Sequence, residues 1–232
     1  MTKYEANTEL IKAYSNKLCN VTLAGRSLHK DGYWNTICLP FDLQLEGSPL
    51  EGADLRAMSE AIIEENTITL NFTEEGELDA ITAGTPYIIR WENGESLTEA
   101  DLVFNNVIVR NTMNDFVGAD GQIEFKGTYS PIVFTSENQN IRFMGSNSVL
   151  YYPLGGARIG AQHAYFQFTD INNLSKQFIL NLGEGDDPTA LQDLQDFKGS
   201  EDSWFDLEGR KLAGKPSRKG IYINEGKTVI IK

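Results

Sequence analysis

The feature that most limits the possible folds is a series of short apolar segments separated by Gly, Pro and Asn turns. The clearest, TITLNFTEE (67–75), alternates Ile68, Leu70 and Phe72 with polar residues, the period-2 pattern of a strand with one buried face. Parallel α/β folds need crossover helices, which the sequence does not supply. We therefore predict an all-β fold: an antiparallel β-sandwich or, alternatively, an open β-barrel, with one short helix and a small C-terminal β-hairpin.

Two pairs of neighbouring segments are predicted to form β-hairpins. Residues 20–28 and 33–43 flank the turn signal KDG, and residues 164–170 and 176–183 flank INNLS.

Other local signals predict two helical segments and two strands. NTELIKAY allows one or two helical turns after Asn7 as N-cap, and Ala53–Ala61 within GSPLEGADLRAMSEA is the best internal helix candidate. A Gly-Thr-Pro turn leads into a strand at Tyr87–Trp91. A strand pair or a bulged strand is expected around Asn105-Asn106.

The charge distribution divides the chain. The net charge is −13 with a pI of about 4.6, which argues against nucleic acid and anionic lipid as partners. The end is different, because residues 198–232 contain more Lys and Arg than Asp and Glu. We predict a β-sandwich domain at 1–182, an acidic linker at 183–203 and a C-terminal β-hairpin tail at 204–232, whose Ile and Val side chains pack together or onto the main domain.

No apolar stretch approaches the length of about 20 residues that spans a bilayer. The first residues lack the apolar core of a signal peptide, so either the protein stays inside the cell or the chain is a fragment whose export signal is missing. Cys19 and Cys38 do not make a disulfide framework. Two buried free thiols are the default interpretation, with a single disulfide as the alternative.

The sequence contains no recognisable catalytic motif. The histidines, His29 and His163, have no partner motif for zinc or for a nucleophile, and a packed or surface role is the simpler interpretation. DFVGADGQIE (115–124) does not match the EF-hand spacing and is interpreted as a turn. The many carboxylates leave a glycosidase pair open. We predict no catalytic residue, cofactor or metal.

Aromatic residues near turns and strand ends provide the candidate ligand site. The predicted site consists of Trp34, Trp91, Tyr151 and Tyr152. Exposed flat rings could stack on sugar faces, with Asn and Asp side chains as hydrogen-bonding neighbours. The competing interpretation is that these rings fill the core of a sandwich.

Several motifs, taken in order, resemble a recurrent module of exported Bacteroidetes proteins. They are GYWNTICLPFDL (32–43), AGTPYIIRW (83–91), FKGTYSP (125–131), LYYP (150–153) and AYFQF (164–168). The tail WFDLEGRKLAGKPSRKGIYINEGKTVIIK (204–232) is similar to the last strands of type IX secretion sorting domains. A complete sorting domain is longer than this tail.

The resemblance implies export to the cell surface or medium, a β-rich fold and a non-enzymatic role. It brings no catalytic residues to this chain. The function expected from it is that of a surface interaction module for adhesion. Its ligand would be either a glycan, which makes carbohydrate binding the activity, or a protein. The alternatives are a structural spacer or C-terminal cap that presents upstream domains, and a glycoside-active enzyme.

Overall fold

The computed structural model describes residues 1–65, 67–169, 177–182, 189–191, 204–205, 216, 220–224 and 227–231. Strands dominate this part of the chain, and the predicted all-β class is confirmed. The α-helix in it is α1, Thr8–Ala13. Two short 3₁₀ turns cover Ala119–Gly121 and Ser146–Ser148.

The strands are numbered in chain order. The first ten are β1 Leu18–Thr22, β2 Asn35–Ile37, β3 Leu43–Gln44, β4 Asp54–Glu64, β5 Thr67–Phe72, β6 Ala80–Ile81, β7 Tyr87–Arg90, β8 Val103–Ile108, β9 Phe116–Gly118 and β10 Ile123–Thr128. The others are β11 Ile132–Val133, β12 Ile141–Met144, β13 Leu150–Tyr151, β14 Arg158–Ile159, β15 His163–Phe168, β16 Gln177–Asn181, β17 Thr189–Leu191, β18 Trp204–Phe205, β19 Gly220–Asn224 and β20 Lys227–Ile231.

The strands form two large sheets and several small ones. The central sheet has the order β17-β16-β5-β4-β7-β2, and the outer sheet has the order β13-β12-β15-β10-β9. A two-stranded ribbon pairs β1 with β8, while β3 pairs with β6 and β11 with β14. The tail sheet has the order β18-β19-β20. Among the strands that the structure describes, neighbours pair antiparallel except β16 and β5, which are parallel.

The central and outer sheets pack face to face, which gives the sandwich-like arrangement. Phe72 of β5 lies edge-on to Phe125 of β10 at 5.8 Å between ring centroids, and Phe125 stacks on Phe166 of β15 at 4.6 Å. Aromatic pairs at such distances add to the free energy gained from burying their area. Strand alternation places Ile68 and Leu70 in the same cluster, as predicted for residues 67–75.

A second apolar cluster lies on the opposite face of the central sheet. In β7, Ile88 belongs to the cluster between the two sheets, whereas Tyr87 and Ile89 belong to the second cluster. The ribbon covers this second face, with Phe104 of β8 packed 5.1 Å from Phe41. The β7 end of the central sheet is therefore buried on both faces, which explains the continuous apolar run YII.

Both predicted hairpins are wrong. The segment 20–28 contributes to β1, which pairs with β8, and the segment 33–43 contributes β2, which pairs with β7. Residues 164–170 and 176–183 contribute strands to the outer and central sheets, respectively. In each case the two segments join different sheets, so contacts with strands distant in sequence, and not the short connection, decide the pairing.

The internal helix predicted at Ala53–Ala61 is also wrong, because this segment lies in β4. The spacing of Leu55 and Met58 resembles a helical period. In the structure, Leu55 and Met58 belong to the clusters on opposite faces of the central sheet. A strand buried on both faces does not need strict alternation, so the local pattern is misleading.

Other local predictions are confirmed. The helix after Asn7, the strand at Tyr87–Arg90 and a bulge at Asn105-Asn106 are all present. The Asn7 side chain makes no cap bond to the helix. Its amide instead donates to the carbonyl oxygens of Thr2, Glu5 and Tyr129, which ties the first residues to the domain.

At the C-terminal end, the hairpin predicted within 204–232 is present as β19 and β20, which pair in antiparallel register. The strand β17 lies inside the predicted linker 183–203 and pairs with β16. The rest of that linker, apart from residues 189–191, lies outside the described residues. The expected packing of the Ile and Val side chains of the tail lies outside them as well.

A buried arginine joins several elements. The Arg56 side chain is 0% exposed, and its Nε and Nη2 donate to the two carboxylate oxygens of Asp54 at 2.9 and 2.8 Å. Its Nη1 donates to the carbonyl oxygens of Thr73 and Leu182, which follow β5 and β16. The guanidinium also lies 5.3 Å from the centroid of the Trp34 ring. Bidentate pairing of this kind is among the strongest in proteins.

We predict that Arg56→Met lowers the free energy of unfolding by about 3–5 kcal/mol, because it removes the donor to two carbonyl oxygens and the bidentate partner of the mostly buried Asp54, which keeps only the longer contact with Arg90 at 3.4 Å. The matched control is Arg110→Met, which breaks an exposed pair with Asp42 and should cost less than about 1 kcal/mol. Urea unfolding measured by tryptophan fluorescence would report both values. Equal effects of the two substitutions would contradict the assigned role of Arg56.

Candidate interaction face

Two of the predicted ligand-binding rings are buried in different clusters. Trp34 lies between the central and outer sheets, and Trp91 lies in the cluster beneath the ribbon. The Arg90 guanidinium lies 4.6 Å from the Trp34 ring centroid, and the Lys30 Nζ lies 4.9 Å from that of Trp91. These cation–π contacts hold charged groups against the rings, which therefore do not form a shared exposed surface.

The other two predicted rings lie at the edge of the outer sheet and are half-buried. Tyr151 lies 6.1 Å from Phe143 between ring centroids, and Tyr152 lies 5.2 Å from the Arg142 guanidinium. Burial raises the pKa of the Tyr151 hydroxyl. Tyr151 and Tyr152 therefore do not share a surface with Trp34 and Trp91, which are both buried.

The titratable groups considered in the sequence lie apart. The Nδ1 of His29 lies 3.4 Å from the Ser96 hydroxyl, and the Nδ1 of His163 lies 3.4 Å from the Thr36 hydroxyl. Both cysteines are free thiols, but only Cys38 is buried, and the expected burial of Cys19 is wrong because it is half-buried on β1. Burial raises the pKa of the Cys38 thiol, so it stays protonated at neutral pH. Within the described ranges, no group of three His, Cys, Asp or Glu side chains is placed to hold a metal ion.

A cluster of charged residues is formed by Glu124 and Lys126 of β10 and by Asp115, which precedes β9. Lys126 contacts Glu124 at 3.4 Å and Asp115 at 3.6 Å, and Asp115 also accepts a bond from the Gly127 amide. Burial pulls the pKa of Lys126 down, but the charges of Glu124 and Asp115 outweigh it and the net pKa is raised. Lys126 is therefore a cation at neutral pH and is not available as a nucleophile.

The most distinctive surface is the outward side of the β1–β8 ribbon, which we call the neutral face. Its residues are exposed and none carries a charge: Leu18, Asn20, Thr22, Val103, Asn105, Asn106 and Ile108. Leu18 and Ile108 are direct cross-strand partners and are 66% and 45% exposed. Leu18 has the largest exposed fraction among the large apolar side chains of the described residues. Leaving such side chains in water costs free energy that burial by a partner would recover.

A bulge in β8 creates this face. Cys19 pairs with Val107, but Val21 pairs with Phe104, so β8 contains one residue more than β1 between these positions. Asn106 takes a φ of 55°, and its amide donates to the Oδ1 of Asn20 at 3.0 Å. Because of the bulge, Phe104 and Val107 both point inward although they are three positions apart. Ile108 then points outward beside Leu18.

The two ends of the neutral face carry opposite charges. Lys17 immediately precedes Leu18, and its Nζ lies 5.3 Å from the Tyr14 ring centroid. At the other end, where Thr22 pairs with Val103, Asp101 lies just before β8. The backbone amide of Thr98, followed by its hydroxyl, donates to Asp101 and lowers the pKa of that carboxyl, which stays ionised at neutral pH. A neutral centre with a charged rim is the usual composition of a protein contact surface.

The neutral face was not predicted from the sequence. The available signal was the segment LVFNNVIV, in which apolar residues occupy both faces of a strand. A strand of that kind is either buried on both sides or presents apolar residues to solvent. Only the position of the ribbon, which packs on the central sheet with one side, separates these two cases.

We predict that the stabilisation from Lys126 is present below pH 10.5, the ordinary pKa of its ammonium, and is lost as the pH rises through the higher pKa of the folded state. The free-energy difference between the native chain and Lys126→Met, about 1 kcal/mol or less, should therefore shrink above that pH. Denaturant titrations from neutral to strongly alkaline pH would measure it. Arg110→Met is the control, because a guanidinium does not titrate there, and a parallel decline in both would contradict the prediction.

Comparison with known proteins returned no similar protein: no family model, curated protein or solved structure matches this chain. In the described part of the chain, none of the helices has the length and apolar character needed to cross a membrane.

Proposed function

We propose that this chain is a non-catalytic protein-interaction module of an exported protein and that the neutral face is its contact surface. The observation that carries the proposal is the pairing of exposed Leu18 and Ile108 on a face without charges, in a chain with a net charge of −13. Burying two aliphatic side chains of this size against a partner is worth several kcal/mol of gross transfer free energy.

A protein partner fits this surface better than a glycan. Sugar rings are bound by flat aromatic side chains, and the two tryptophans predicted for that role are buried. The neutral face instead presents branched aliphatic groups, amides and a hydroxyl. A partner with an aliphatic and amide surface would match these groups, whereas a strongly charged partner would lose hydration without gaining an ion pair.

The export part of the proposal is based on the sequence resemblance alone. The motifs between residues 32 and 168 and the tail at 204–232 resemble those of exported Bacteroidetes proteins. On this proposal the module is at the cell surface or in the medium, where a neutral apolar face would meet partners outside the cell.

A second role, as a C-terminal structural or sorting piece, is supported for the tail. Among the described residues, the strands β18, β19 and β20 pair only with one another. A unit with its own sheet could act as an address or an attachment without being needed by the sandwich.

We predict that deleting residues 204–232 leaves the midpoint of urea unfolding of the sandwich unchanged but reduces the share of protein that reaches the cell surface. Unfolding midpoints and surface labelling of the expressed full-length protein would test both parts. A destabilised core with normal delivery would contradict the sorting role and make the tail a structural element.

We also predict that Leu18→Lys abolishes contact with a protein partner, because it replaces one member of the exposed Leu18–Ile108 pair of the neutral face with an unpaired charge. A photo-crosslinking amino acid at Asn105 would capture the partner on intact cells, with and without this substitution. Val133→Lys, at another exposed aliphatic position in a strand, is the matched control and should leave the crosslink unchanged. A crosslink that survives Leu18→Lys would contradict the proposed surface.

A further inference from the structure

The groups on the neutral face are complementary to themselves. Amides such as those of Asn105 and Asn106 both donate and accept hydrogen bonds, and aliphatic side chains pack against other aliphatic side chains. A face that contains only these groups and a hydroxyl can therefore bind a second copy of itself without burying an unmatched charge.

The charges at its ends determine how two copies would be oriented. The Leu18–Ile108 end lies next to Lys17, and the Thr22–Val103 end lies next to Asp101. Consider a two-fold axis that lies in the plane of the contact, runs perpendicular to the strands and passes near Asn20 and Asn106. It places the Lys17 end of each copy over the Asp101 end of the other. The same operation places the Leu18–Ile108 pair over Val103 and Thr22. A parallel arrangement would instead bring like charges together.

Electrostatics also disfavours other faces for self-association. The chain has a net charge of −13, so most pairings of two copies bring acidic groups together. The neutral face keeps such groups at the rim, where salt screens them over a distance of about 8–10 Å. Arg110 beside Ile108 is already paired with Asp42 at 2.9 Å and adds little net charge to the basic end.

We propose that the neutral face binds a second copy of this chain in an antiparallel, two-fold symmetric arrangement, with Lys17 of each copy facing Asp101 of the other. This inference rests on the proposed function, since it names the partner of the same face. It fits the isologous pairing that is common in homodimers.

The size of the face indicates a weak contact. Strands of this length span about 17–20 Å, and two strands are about 10 Å wide. The area is well below the roughly 800 Å² per partner of a stable interface. The association should therefore be reversible and favoured at the high local concentration of a crowded surface.

The first experiment measures self-association of the purified full-length chain by sedimentation velocity from about 10 μM to about 1 mM. We expect a concentration-dependent shift towards dimer. Leu18→Lys should weaken it by about tenfold or more, whereas Val133→Lys should not change it. A native chain that stays monomeric over the whole range would overturn the inference, as would a dimer that is insensitive to Leu18→Lys.

The second experiment tests the orientation with charge reversals. Lys17→Glu and Asp101→Lys should each weaken dimer formation by about two- to fivefold for every repulsive pair that they create. A mixture of the two single variants should restore association, because each cross-copy pair is then attractive. Near-UV circular dichroism would confirm that both variants fold. Failure of the mixture to recover would overturn the antiparallel arrangement.

The two proposals can fail separately. If the chain is monomeric but a crosslink from Asn105 to another protein depends on Leu18, the second-copy inference fails and the proposed function stands. If neither self-association nor a Leu18-dependent crosslink is found, both fail.

Discussion

The arrangement of the sandwich depends on how one buried cation is satisfied. Arg56 lies in the central strand β4 with no exposed area, and a guanidinium at such a position must be matched by acceptors. Asp54, two residues earlier on the same face of the strand, supplies the carboxylate. Further acceptors are the carbonyl oxygens of Thr73 and Leu182, just after β5 and β16. Because two parallel strands end on the same side of a sheet, one side chain can bind both.

This interaction also explains why Trp34 is buried. Trp34 covers the guanidinia of Arg56 and Arg90, which makes its ring part of the charge-satisfying network. Trp91 donates its indole N–H to the carbonyl oxygen of Glu51 and carries Lys30 on its ring. Trp34 and Trp91 thus each have a structural role that keeps the ring away from solvent. The exposed apolar side chains of the ribbon, Leu18, Val103 and Ile108, are all aliphatic, and such a surface suits a protein partner better than a sugar ring.

Local sequence patterns were reliable wherever a strand buried a single face. The segment 67–75 shows this, since Ile68, Leu70 and Phe72 alternate in sequence and all point to the same cluster. Local patterns failed where a strand is buried on both faces. In β4, for example, the apolar residues have an apparent helical spacing although the segment is a central strand. They also failed for pairing, because strand partners such as β1 and β8 are far apart in sequence and no short turn fixes their register. The neutral face could not be predicted for the same reason, because the exposure of Leu18 and Ile108 depends on which side of the ribbon packs on the core.

The sequence by itself determined the all-β class, the first helix, the bulge at Asn105-Asn106 and the C-terminal hairpin. These features depend on side-chain alternation, turn residues and backbone preferences within a few residues of one another. Only the tertiary structure decided which strands pair, that Arg56 is buried, that Trp34 and Trp91 are core residues and that one ribbon face remains apolar and uncharged in solvent. Those outcomes depend on contacts between segments that are distant in sequence. The free energy of such contacts cannot be inferred from a local sequence pattern.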